Sequence, residues 1–106
     1  MKVPGGPAGL LEPGSTWTDN PPAFNLEDSD PMLDACLALW HLSYAVRRAR
    51  GELGKSVVYV AFHAKVERST VTGIEKGTSW PDALSLARVC GALNLRLGAV
   101  RIKGVQ

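Results

Sequence analysis

The chemistry this sequence could perform is concentrated in two places. One is the string Ala49-Arg50-Gly51-Glu52-Leu53-Gly54-Lys55-Ser56, and the other is the set Cys36, His41, His63 and Cys90. The string satisfies the relaxed P-loop pattern of a small residue, four others, then Gly-Lys-Ser, in which backbone amides and a lysine hold phosphates. A P-loop follows a strand of a large parallel sheet; here an arginine-rich run precedes the string and too few residues remain to build that sheet. The cysteines and histidines share no metal-ligand spacing. No nucleophile stands at a spacing that suggests a base beside it. The expectation is a protein that is not an enzyme and needs no metal or cofactor, with His41 on a helix face and His63 at the surface.

Charge suggests a different role. Residues 1–34 hold one basic and six acidic residues, for a net charge of −5, whereas residues 35–106 hold eleven Lys/Arg against four acids, for +7. A basic module behind an acidic arm suits a nucleic-acid partner. At 106 residues, 45% hydrophobic and 21% charged, the chain is sized and composed for one globular domain. It contains no apolar run approaching the roughly 18–20 residues of a membrane span. Met1-Lys2-Val3-Pro4-Gly5-Gly6 also lacks the apolar stretch of a signal peptide. A cytoplasmic location without membrane contact is expected, and Cys36 and Cys90, both in apolar segments, are expected as reduced core residues.

Three regions must position whatever the basic module binds. Six of the seven prolines fall before position 32, so residues 1–30 read as a flexible acidic arm, in which Trp17, Phe24 and Leu26 are the residues able to dock. Order is expected from Asp30-Pro31, a capping side chain followed by proline at the first helical position. Ala35, Leu39, Leu42, Val46, Ala49 and Leu53 then recur at helical spacing, in one helix or two.

The segment Ser56 to His63 carries opposed signals. Its β-branched and aromatic residues favour a strand, while the Ser56 cap and the shared face of Val57, Val60, Ala61 and Ala64 favour a helix. After a break at Lys65-Val66-Glu67, a helix is expected over 68–76, with Val71 and Ile74 inward and a stop at Gly77. A loop, Thr78-Ser79-Trp80-Pro81, leads through Asp82 to a helix carrying Leu86, Val89, Cys90 and Leu93. The ordered domain is thus placed at 31–94. Residues 95–103 alternate apolar and basic side chains, as an edge strand or hairpin arm does, within a C-terminal element at 95–106.

With several short helices in place, Val46 to Leu95 resembles the Cro and phage-repressor (XRE-like) helix-turn-helix family. The resemblance rests on Val46-Arg47-x-x-Arg50, Gly54-Lys55-Ser56-Val57, Val60-Ala61 and the run Val66-Glu67-Arg68-Ser69-Thr70-Val71-Thr72-Gly73-Ile74-Glu75-Lys76-Gly77. Pro81, Leu86 and Leu93-x-Leu95 follow in register without a gap. It implies an all-α, five-helix-type domain that binds double-stranded DNA, with the helix around 68–76 in the major groove. Ala61 is small where the two helices of the motif cross, Val66 plugs the turn, and Glu75 is expected to pair with Arg47 or Arg50.

Carried over position by position, base readout falls to Arg68, Ser69, Thr70 and Thr72, with Gly73 on the same face. Phosphate contacts fall to Ser56, Lys65, Lys76, Thr78 and Ser79. Trp80 is expected to pack under its loop rather than stack on a ribose. The implied function is a transcriptional repressor or regulator, a homodimer on a pseudo-palindromic operator, with Leu95, Leu97, Val100 and Ile102 as dimerisation residues. An antitoxin that binds operator and toxin, and an interaction module that retains the fold without DNA binding, are the alternatives.

Four departures bear on these roles. Lys65 stands where the family has glycine at positive φ, Glu67 replaces a Ser or Thr cap, and Val57 replaces a glutamine that touches the DNA backbone. Gly73 offers no side chain where relatives read a base.

Overall fold

Asp30 and Pro31 begin the longest helix for the reasons their side chains dictate. The Asp30 carboxylate accepts from the amides of Met32 (2.8 Å) and Leu33 (3.3 Å). Pro31 occupies a position whose N–H would have no helical partner in any case. The structure, a computed structural model, describes residues 6–11, 16–17, 20–22 and 30–98. Among them run α1 (Pro7–Leu11), α2 (Pro31–Glu52), α3 (Val57–Ala64), α4 (Arg68–Lys76) and α5 (Ala83–Ala92), with no strand. Residues 31–52 are therefore one helix. No helix among the described residues is long and apolar enough to cross a membrane.

The segment with opposed signals is helical. The Ser56 hydroxyl accepts from the Tyr59 amide at 3.0 Å, and Val60, Ala61 and Ala64 turn one face into the core. Burying a valine side chain is worth about 1.5–3 kcal/mol, whereas strand propensities span only about 1 kcal/mol; tertiary burial decides. Lys65 then takes the left-handed conformation at φ 59, the position at which the resemblance placed a glycine. From there Val66 donates its amide to Ala61 O at 3.0 Å and drops half-buried against the core.

Val46 of α2, Val60, Ala61 and Ala64 of α3, Val71 and Ile74 of α4, and Leu86, Val89 and Cys90 of α5 form one cluster with Leu93. Cys36 and Cys90 are both buried free thiols, and burial pushes both above the ordinary thiol range.

Two regions differ from expectation. The arm at 1–30 contains α1, and Pro7, Ala8 and Trp17 are buried. Ala8 donates to Gly77 O at 2.9 Å and Trp17 to Lys76 O at 2.7 Å, while the Trp17 ring stacks on Trp40 at 5.7 Å and 3°. This part of the arm is thus docked on the loop that ends α4; Phe24 and Leu26 lie outside the described residues. At the other end, residues 95–98 have no regular structure. Leu95 is half-buried against the core cluster rather than on a free strand edge, and Leu97 is exposed. Val100 and Ile102 lie outside the described residues.

Candidate nucleic-acid interface

α4 is amphipathic in a way that separates anchoring from display. Val71, Gly73, Ile74 and Glu75 are buried, whereas Arg68 and Ser69 are exposed and Thr70 and Thr72 are half-buried. The buried side is fastened by polar as well as apolar contacts. Arg50 of α2 grips Glu75 with two parallel bonds, Nε to Oε2 at 2.7 Å and Nη2 to Oε1 at 2.8 Å, and its third nitrogen reaches Lys55 O at 3.2 Å. The Glu75 hydrogen bonds hold the Arg50 guanidinium above its ordinary range, outweighing the opposing effect of burial. Of the two arginines expected for this role it is Arg50 that serves. Arg47 instead donates to the Trp17 carbonyl. The buried Ser43 hydroxyl sits between the carbonyls of Leu39 and Ile74, tying α2 to the last turn of α4.

The first turn of α4 is free of comparable restraint. Glu67, at the N-cap, makes no side-chain cap bond. Its carboxylate accepts instead from the Ser69 hydroxyl at 3.4 Å. The helix N-terminus thus keeps amides without a side-chain acceptor, in a field that favours an anion.

Two grooves flank this turn. Val57 and Val58 of α3 line one together with Arg68, Ser69 and Thr72. Ser69 and Thr70 line the other with Ser79, Trp80, Pro81, Asp82 and Ser85. Arg68, Ser69, Thr70 and Thr72 are thereby brought to one continuous surface.

Gly73 does not belong to that surface and the expectation for it is corrected. It is buried, and a Cβ built on it would stand 2.2 Å from Ser79 Oγ. Its lack of a side chain lets the following loop close against the helix, so the Ser79 hydroxyl fills that space. Trp80, expected under its loop, is 37% exposed and lines the second groove.

The residues expected to hold phosphates are spread more widely. Ser56, Lys76 and Thr78 are exposed and Ser79 is half-buried. Lys76 shares a concave surface with Trp17, Arg47, Arg50 and Thr72. Lys65 is exposed but lines a separate groove with Tyr59, His63 and Arg88, away from Arg68.

Val57 stands where the resemblance placed a backbone contact, but the sequence did not point to Val58 beside it. Its signal was visible: Val58 is apolar although it lies off the inward stripe of Val57, Val60, Ala61 and Ala64.

Among the described residues no group of three or more His, Cys, Asp or Glu could hold a metal. The string resembling a P-loop begins in the last turn of α2 and ends at Ser56, the N-cap of α3, so a helix and not a strand leads into it. A family model described as helix-turn-helix, of the Cro/C1 type, matches residues 46–100, just over half of the chain. Comparison with curated proteins and with solved structures found no match in either. With α3, the left-handed turn at Lys65 and α4 falling inside the matched span, the chain belongs to the Cro/C1-type (XRE-like) helix-turn-helix family of DNA-binding transcription regulators.

Proposed function

We propose that the protein is a transcriptional repressor that binds a pseudo-palindromic site in double-stranded DNA as a homodimer, with α4 in the major groove. One observation carries this reading. The exposed turn of α4 presents Arg68, Ser69, Thr70 and Thr72, while the opposite side of the same helix is fixed to α2 by Glu75 and Ile74. A major groove about 12 Å wide admits such a helix. Arg68 is the one long donor on the exposed turn and reads guanine, with Ser69, Thr70 and Thr72 assisting. Ser56, Lys76, Thr78 and Ser79 contact phosphates and set the register. Dimerisation follows from the two-fold symmetry that operators of this kind share with their proteins, and the 95–106 segment supplies it.

Selection of bound duplexes from a random library tests the whole reading. Two related half-sites about one helical turn apart are expected. In those duplexes Arg68→Ala weakens binding by about 1–3 kcal/mol and relaxes the preference at one base position. Equal losses on selected and random duplex would make Arg68 a phosphate contact. A library from which nothing is enriched would overturn sequence-specific binding.

A further inference from the structure

The groove beside Arg68 has one wall unlike the rest of the interface. Val57 and Val58 form it, and neither can donate or accept a hydrogen bond through its side chain. Val57 is half-buried and packed against the core cluster, so its position is set from beneath. Val58 is 54% exposed, an apolar side chain left facing the open groove. Both are β-branched and hold few rotamers in a helix, so the wall is stiff. The Ser56 hydroxyl just before them accepts from the Tyr59 amide and keeps its proton for a phosphate, but it does not line this groove. The opposite wall is Arg68, Ser69 and Thr72, and no acidic side chain lines the groove.

These features choose among the groups that a DNA duplex offers. Phosphate oxygens need donors, which the valines lack. Along the major-groove edges every base presents hydrogen-bonding atoms, but one feature is apolar, the 5-methyl group of thymine. The guanidinium across the groove matches the N7 and O6 acceptors of guanine. We infer that Val57 and Val58 seat a thymine methyl group next to the guanine taken by Arg68, so that the first helix of the motif reads sequence as well as the second. This inference rests on the DNA-reading function proposed above and names the base step it recognises.

The test removes a methyl group and nothing else. Duplexes enriched from a random library by the full chain are resynthesised with deoxyuridine in place of each thymidine in turn, and binding is measured by fluorescence anisotropy at one salt concentration. At a thymine adjacent to the guanine sensed by Arg68→Ala, affinity falls about fourfold, the equivalent of one buried methylene-sized group; thymines elsewhere are silent. Val58→Ser, at an exposed position that the core does not need, binds the thymidine and deoxyuridine duplexes alike. Specific binding that is insensitive to deoxyuridine at every position overturns the inference and leaves the DNA-reading function standing. An equal loss at every thymine also overturns it, because that reports duplex stiffness rather than a seat. Failure to enrich any duplex overturns the parent reading and this inference with it.

Discussion

The two halves of α4 are built to opposite specifications. Its last turn is held from four directions: Glu75 by Arg50, the Ile74 carbonyl by Ser43, Gly73 by Ser79, and Gly77 by the Trp17 ring, which leaves no room for a Cβ. Its first turn has an acidic N-cap residue that makes no cap bond, two exposed side chains and a groove on either side. A helix clamped at one end and open at the other can place Arg68 to within the tolerance of a hydrogen bond while leaving that turn uncovered for a ligand. The clamp also explains why the N-terminal segment is docked here: Ala8 and Trp17 donate to the last carbonyls of α4 and its loop, which the helix itself cannot satisfy.

The largest effect should come from breaking the clamp. In Arg50→Ala, Glu75 would keep a carboxylate that is only 7% exposed and lose both of its charge-assisted bonds. Removing one partner of a buried pair typically costs about 3–5 kcal/mol, and Arg50, itself 27% exposed, places the expectation at the lower end. Chemical denaturation should show a loss of about 3 kcal/mol. A loss below about 1 kcal/mol would mean that the apolar contacts of Val71 and Ile74 suffice, and that the two halves differ less than their bonding suggests.

Much of this architecture was legible in residue types. Asp30-Pro31 and Asp82 announced two helix starts, and Lys65 was identified as a non-glycine residue in the left-handed turn because its neighbours were in register. Glu75 was recognisable as a partner for an arginine. Which arginine was not, because the choice depends on Trp17, about thirty residues earlier in the chain, drawing Arg47 to its carbonyl. Of the docked segment only Trp17 was legible, as a residue able to dock; α1 has five residues, too few for a periodic pattern. Gly73 was misplaced because the position carried over from the family says where a side chain would read a base, not that in this chain a loop has closed over it. For α3, local preference and burial disagreed, and only the tertiary contacts of Val60 and Ala64 decide such a case.

The loop closure can be tested with a change of sign. Gly73→Ala places a methyl group 2.2 Å from Ser79 Oγ and 2.9 Å from Ser79 Cβ. Overpacking of about 1–3 kcal/mol should outweigh the helix gain of about 1 kcal/mol, leaving a net loss of about 1 kcal/mol in a denaturant titration. In a Ser79→Gly background both clashing atoms are gone, and the nearest remaining contact, Ser79 N at 3.7 Å, is ordinary. There the same substitution should stabilise the fold. A loss of equal size in both backgrounds would show that Gly73 is needed for something other than the approach of Ser79.

The smallest expected effect lies beyond the clamp, at the start of α5, and it depends on pH. The Asp82 carboxylate accepts from the Ser85 amide at 2.7 Å and from the Ser85 hydroxyl at 3.2 Å. Those bonds, the backbone one first, hold its carboxyl below the usual carboxylate range. A carboxyl group with a lower pKa in the folded than in the unfolded state adds stability above the unfolded value, about 4. That contribution disappears as pH falls through the folded value. Because the group is exposed, solvent screens it and the effect should be small. Asp82→Asn keeps an oxygen that can cap the helix but has no proton to take up. Thermal melts of the two proteins between pH 7 and pH 2.5 should therefore differ by a constant amount at neutral pH, and the difference should shrink below about pH 4. The other carboxylates are common to both chains and cancel in the comparison. A difference that stays constant to pH 2.5 would mean that the charge on Asp82 adds nothing to the cap, and that α5 starts on hydrogen-bond geometry alone.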